Sequence, residues 1–241
     1  MRIPRKWARS LLEIAGIQAT RISPYTNDNA ALSAMLKHFQ VDLLLDVGAN
    51  VGQYAKNRIA TGYTGRIVSF EPLSSARVEL LREASAHLNW EVAGQYAVGD
   101  HQGTATMNIS ENSVASSILS ATNTHLQHSP HAVQVSTEVV PMERLDHLAK
   151  PFVEKSQNPF LKIDVQGFED QVLGGATNIL PNLVGLQLEL SFIPIYEGQK
   201  LFPEMFSLIT SMGFVLYRMI PAWIDLKTGR WLQADGIFFR S

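Results

Sequence analysis

The stretch LLLDVGANVGQ, residues 43–53, decides the reading of this chain. Its first five residues are apolar except for Asp46. That pattern suits a strand covered on both faces, since a half-exposed strand would alternate. Gly48 and Gly52 follow, and QYAKNRIAT (53–61) then repeats at helical spacing until Gly62 closes it. A strand, a tight glycine turn and a helix form the opening of a βαβ unit. At such a turn, free backbone N–H groups can meet the polar end of a ligand.

The alternation continues outward. RIVSFEP (66–72) reads as a second strand, and Ser74–Ala86 as a helix with Val78, Leu81 and Ser85 on its inner face. WEVAGQYAVGD (90–100) holds a third strand. From Gly103 to Val140 the pattern changes: TATMNI and AVQVSTEVV read as extra strands flanking a polar loop, an insertion in place of another βα unit. FLKIDV (160–165), LVGLQLEL (183–190), FVLYRMI (214–220) and DGIFFR (235–240) are further strands. Helices are expected over Phe168–Leu180 and Pro203–Met212, and Pro151–Pro159 as a surface loop. No helix separates the last two strands, so they pair antiparallel. Upstream, helices are expected over 5–16 and 28–39, the second capped by Asn27 or Asp28. The fold expected is α/β, doubly wound, with a mostly parallel sheet, an antiparallel last strand and a small β insertion. Residues 1–40 are read as an N-terminal helical extension and 41–241 as one domain.

Composition narrows the function. The 241 residues carry a formal net charge of −2, which gives no general case for nucleic acid. The chain has no cysteine, which removes disulfides, thiol nucleophiles and cysteine zinc sites. No apolar run is long enough to span a bilayer. Arg2, Arg5, Lys6 and Arg9 precede a mildly apolar stretch, read either as a packed helix with a charged face or as an interfacial helix touching an anionic membrane. A cytoplasmic protein is the working expectation, which leaves the Asn108-Ile109-Ser110 sequon without meaning. The sequence does not set the oligomeric state.

The turn is not a dinucleotide fingerprint, because glycine would be needed where Asp46 and Val51 stand. A carboxylate at 46 would repel a pyrophosphate but suits a ligand with a cationic amino group. Glu71 ends the second strand, 25 residues beyond Asp46, where doubly wound folds place the acid that accepts from ribose hydroxyls. S-adenosylmethionine meets these terms, with an amino group, a ribose diol and no phosphate. The competing readings are a nicotinamide-dependent oxidoreductase, which Asp46 and Val51 disfavour, and a non-catalytic nucleoside- or carbohydrate-binding module.

LLLDVGANVGQ, IVSFEP, QYAVGDHQGTATM, SSIL and FLKIDVQGFEDQVLGGA together resemble the FkbM family of S-adenosylmethionine-dependent methyltransferases, in the right order from about Leu43 to Phe239. The K-I-D-x-x-G-x-E segment (162–169) is the most specific part. The resemblance implies a Rossmann-like methyltransferase sheet and O-methylation of a hydroxyl on a sugar, glycan, glycolipid or polyketide. It implies that Asp46, Gly48, Ala49, Asn50 and Gly52 line the methionine end and that Glu71 holds the ribose. Tyr96, Ala97 and Val98 would border the adenine, and the insertion with Ser116 and Ser117 would lie over the acceptor side.

Catalytic candidates cluster at the fourth strand. Alternation puts Lys162 and Asp164 on one face. Asp164 would work at the rim of the sheet, near the topological switch point, with Lys162 one pleat deeper to offset its charge. A purely structural ion pair is the rival. Glu189 either joins Asp164 as a carboxylate pair for a divalent cation or a hydroxyl, or is a solvated strand-end acid. Glu169 and Asp170 suit a helix's first turn and read as caps. His125 and His128 could share one helix, but Pro130 ends it before His131 and no acid accompanies them. His101 reads as a surface-turn residue. Asp164-Val165-Gln166-Gly167 ends the strand where amine methylases carry an Asn/Asp-Pro-Pro-aromatic turn, which argues against amine acceptors.

Overall fold

A computed structural model describes residues 14–17 and 20–240. Most of the helix expected over 5–16, with its basic residues, lies outside the described residues. The parallel core is β1 (Leu43–Val47), β2 (Arg66–Phe70), β3 (Trp90–Val92), β7 (Pro159–Ile163) and β8 (Gly185–Ser191); β9 (Phe214–Ile224) and β10 (Trp231–Arg240) complete a seven-stranded sheet of order β3-β2-β1-β7-β8-β10-β9. β10 runs antiparallel to both β8 and β9. The order reverses between β1 and β7, the crevice where open α/β sheets bind ligands.

Helices cover both faces. On one, α1 (Asp28–His38), α2 (Gln53–Ala60) and α3 (Ser74–Ala84) set Leu32, Leu36, Ala55 and Leu80 against Leu44, Ile67 and Phe160. α1, assigned to the extension by the sequence, thus packs into the main core. Its cap is Asn27, whose side chain accepts from Ala30 N at 2.9 Å. On the other face, α5 (Leu145–Val153), α6 (Glu169–Gly174) and α7 (Phe202–Ser211) pack on Leu43, Leu45, Val47, Leu161 and Ile163. Burying each such side chain contributes roughly 1.5–3 kcal/mol.

The insertion makes its own sheet. β5 (Gly103–Ser110) pairs antiparallel with β6 (Gln134–Arg144), and β4 (Ala97–Gly99) joins β6 in parallel. The single third strand expected over 90–100 is therefore two strands in two sheets. α4 (Asn123–His128) lies in the polar loop. Ala97, Met107 and Met142 bind this sheet to Leu73 and Ala76 of the main body.

Three expectations need correction. α3 buries Ala76, Leu80 and Ala84, whereas Val78 and Leu81 are exposed and Ser85 is only its C-cap. Small alanines occupy the tight helix–sheet contact, so size misled the assignment of the inner face. α5 was missed because Pro151 suggested a loop; the proline lies inside the helix, near its end, where it forgoes one backbone hydrogen bond while Leu145, Ala149 and Val153 are buried against the sheet. The helix after β7 is one short α-helix followed by turns and a 3₁₀ turn over Leu180–Asn182. Among the described residues no helix is long and apolar enough to cross a membrane.

Candidate functional site

A cavity of about 310 Å³ opens at the carboxyl ends of β1, β2 and β7, beneath the insertion. Its walls include Gly48, Ala49 and Asn50, then Glu71 and Leu73, then Tyr96, Ala97 and Val98. Asp164 and Gln166 close one side, and Ser113, Val114, Ser116 and Ile118 of the insertion lie over the top.

The turn after β1 is packed too tightly for side chains. Gly48 has φ 75°, and a Cβ there would lie 1.8 Å from the Asp164 carbonyl oxygen. Gly48 N and Ala49 N both donate to Phe70 O, at 3.0 and 3.1 Å, tying the turn to the end of β2. Asn50, at φ 48°, donates its backbone N–H to Glu71 Oε2 at 2.8 Å, and Leu73 N donates to Oε1 at 2.9 Å. Burial pushes the Glu71 carboxyl upward, and these two N–H groups oppose that. Asn50 Oδ1 is buried without a hydrogen-bond partner. Gly52 is different: its φ is 85°, but a Cβ there would meet the Trp90 ring at 2.6 Å, and the residue does not line the cavity. It faces the core behind the turn, not a ligand.

Asp46 is likewise deeper than expected. It is fully buried, with Oδ1 2.9 Å from Lys162 Nζ and Oδ2 accepting from Ser69 Oγ at 3.2 Å. Lys162 Nζ also donates to Gly48 O at 3.0 Å and lies 3.7 Å from Asp164 Oδ2. The lysine therefore neutralises Asp46 first and Asp164 second, and it pins the glycine turn. Burial works against its charge, but the two carboxylates outweigh that and hold the ammonium above the usual lysine range.

Asp164 stands one residue past β7, its side chain 38% exposed, the most open carboxylate of this group. Gln166 fixes it. The Gln166 amide donates to Asp164 Oδ1 at 2.7 Å and to Glu189 Oε2 at 3.2 Å, and its carbonyl accepts from Tyr196 OH at 2.8 Å. Gln166 has φ 58°, a conformation costing about 1–3 kcal/mol outside glycine. Those bonds, with the one its backbone oxygen accepts from Ser117 Oγ at 2.6 Å, hold it there. Glu189 is not a solvated acid: it also accepts from Gln233 Nε2 at 2.6 Å, and burial beside Asp164 and Glu169 raises it well above the usual carboxylate range. The Gln166 amide thus bridges Asp164 and Glu189, and among the described residues no group of three or more His, Asp or Glu could hold a metal. Glu169 opens α6 but makes no cap bond to it: it accepts instead from Val165 N and Gly167 N of the preceding turn, at 3.2 and 3.1 Å, and burial pushes it up to about 7.

The histidines stay apart from the cavity lining. His125 is buried edge-on to Tyr196, at 5.0 Å between centroids. His131 pairs with Glu111 at 3.0 Å, an acid the sequence reading did not place there, and His101 Nδ1 lies 2.6 Å from Asp100 in an exposed turn. Sequence reasoning missed Gln166, Tyr54, Gln187 and Asp235, all of which line the cavity. The signal was available for Gln187, a lone amide in the apolar run GLQLEL.

The walls suit the donor inferred above. The ionisable groups of the lining apart from tyrosines are Glu71, Asp164, Asp235 and the already paired Lys162, a balance that favours a cationic ligand over a phosphate. The model of the FkbM methyltransferase domain matches residues 46–216. No curated protein sequence matches the chain. Similar solved structures include a magnesium protoporphyrin IX methyltransferase from Synechocystis PCC 6803 with bound S-adenosylmethionine, at 11% identity and TM-score 0.46, covering 98% of this chain and 96% of that one. An rRNA methylase from Streptococcus thermophilus is 12% identical with TM-score 0.46, over 92% of this chain and 99% of that one. A ribosomal protein L11 methylase from Lactobacillus delbrueckii subsp. bulgaricus is 8% identical with TM-score 0.45, over 90% and 79%.

Proposed function

This chain belongs to the FkbM family of S-adenosylmethionine-dependent methyltransferases, and on that premise we propose that it methylates a hydroxyl of a sugar-type acceptor, with Asp164 as the base. The observation that carries this reading is the state of Asp164. It is the most exposed carboxylate at the switch-point crevice, oriented by Gln166 at 2.7 Å and partly offset by Lys162 at 3.7 Å. A carboxylate so placed, open to the crevice and oriented by an amide, can take the proton of a hydroxyl, whereas an amine acceptor would need no base of this kind once neutral.

In this reading Glu71 accepts from the ribose hydroxyls on the oxygen lone pairs left free by Asn50 N and Leu73 N. Tyr96, Ala97 and Val98 border the adenine, and Gly48, Ala49 and Asn50 bring backbone close to the amino-acid end. The bound donor supplies an electrophilic methyl on a sulfonium. The chain's own part is to align the hydroxyl in line with the carbon–sulfur bond, exclude water under Ser113–Ile118, and receive the proton on Asp164. A domain that takes in α1 along with residues 41–241, and a cytoplasmic setting, belong to the same proposal. The test is incubation with methyl-labelled S-adenosylmethionine and a panel of methyl glycosides, with mass spectrometry of products. An O-methylated sugar supports the reading, and transfer confined to amines or to RNA overturns it.

A further inference from the structure

The donor brings an ammonium as well as a sulfonium into the cavity, and the residue expected to receive it is taken. Asp46 is fully buried, bound to Lys162 Nζ at 2.9 Å and to Ser69 Oγ at 3.2 Å, and it does not line the cavity. Three other carboxylates do: Glu71, Asp164 and Asp235. Glu71 is satisfied by two backbone N–H groups, and Asp164 by the Gln166 amide with Lys162 nearby. Asp235 has the least compensation. Its Oδ2 accepts one hydrogen bond, from Gln187 Nε2 at 3.2 Å, and no ion pair reaches it among the described residues. Gln187 is held in turn by Tyr54 OH at 3.2 Å. A half-buried carboxylate with one neutral donor is poorly compensated, and a cation arriving in the cavity offsets it.

The register places this carboxylate usefully. Lys162 of β7 pairs with Gln187 of β8, and Glu189 of β8 pairs with Asp235 of β10. In the sheet order β2-β1-β7-β8-β10, the glycine turn after β1 and Asp164 after β7 therefore lie between Glu71 and Asp235. In the donor, sulfur lies between the ribose and the amino-acid carbon chain. A molecule with its ribose at Glu71 and its ammonium toward β10 carries its sulfonium past Asp164.

We infer that Asp235, framed by Gln187 and Tyr54, is the subsite for the ammonium of the donor's amino-acid end. This rests on reading the cavity as the donor site. Burial pushes the Asp235 carboxyl up to about 6, so it is ionised at neutral pH and available to a cation.

Calorimetric titration with S-adenosylhomocysteine and with 5′-methylthioadenosine tests it without any acceptor. The second compound keeps the nucleoside and the thioether but lacks the amino acid. The expected result is that Asp235→Asn weakens S-adenosylhomocysteine by tenfold or more and leaves 5′-methylthioadenosine within twofold of wild type. Asp235→Ser carries the same comparison should the Asn variant not fold. Unchanged S-adenosylhomocysteine affinity overturns the assignment, including when methyl transfer is lost, since Asp235 would then serve the acceptor. Equal losses for both compounds overturn it as well, because the effect is then structural. Wild-type protein that binds both compounds equally tightly refutes the subsite alone; protein that binds neither refutes the donor reading from which it follows.

Discussion

Lys162 Nζ sits 2.9 Å from Asp46 Oδ1, joining neighbouring residues of β7 and β1 at the base of the glycine turn. The same nitrogen reaches Gly48 O at 3.0 Å, and the pair continues through Ser69 Oγ to Trp90 Nε1, which donates at 3.0 Å. This buried chain of an ion pair and hydrogen bonds ties the glycine turn to β2, β3 and β7.

Lys162→Met leaves Asp46 buried and uncompensated, which should cost about 3–5 kcal/mol. Thermal unfolding should show a fall of roughly 10 °C, at 2–4 °C per kcal/mol for a chain of this size. Adding Asp46→Asn should recover part of the loss. A single variant with unchanged melting temperature would mean the pair contributes nothing.

Glu71→Ala removes the acceptor shared by Asn50 N and Leu73 N and the one proposed for the ribose. S-adenosylhomocysteine affinity should fall by about 1.5–3 kcal/mol, the usual worth of hydrogen bonds to a charged group. The 2′-deoxy analogue should lose less. Equal losses measured by calorimetry would remove Glu71 from the ribose contact.

The two turn glycines should part company. A Cβ at Gly48 drives into the Asp164 carbonyl, so Gly48→Ala should disrupt the cavity itself and weaken S-adenosylhomocysteine strongly. Gly52→Val pushes into Trp90 and Leu80, and should lower the melting temperature before it affects donor affinity. Calorimetry and thermal unfolding on each variant check the contrast.

Stability should depend on pH through Glu169. Its folded value, about 7, lies above the usual 4.5, so the folded state holds the proton more tightly than the unfolded one. That contribution is present below about 4.5 and is lost as pH rises through about 7. Glu169→Gln keeps an oxygen for Val165 N and Gly167 N but cannot ionise. Between pH 5 and 8 the wild type should lose more melting temperature than the variant, and parallel curves would contradict this.

What could be read from residues alone follows the physics. β1, β7 and β8 are buried on both faces and announce themselves as apolar runs, so the doubly wound sheet was legible. The insertion was legible as a break in that rhythm. Asp46 was misassigned because its partner depends on the β1–β7 register, which sets Lys162 beside it. Gln166 was missed because its role comes from a left-handed backbone that no local pattern signals. Asp235 was missed because only the antiparallel run of β10 brings the strand's first half to the carboxyl edge of the parallel strands.

The central claim is that Asp164 removes the hydroxyl proton, and its most direct test is Asp164→Asn in the transfer of labelled methyl from S-adenosylmethionine to the methyl glycoside that scores highest in the panel. Asn keeps an oxygen for the Gln166 amide, so melting temperature and S-adenosylhomocysteine affinity should hold, while turnover should drop by about 10²–10⁴, the worth of a positioned base. Near-normal turnover in a well-folded Asp164→Asn protein would contradict the account.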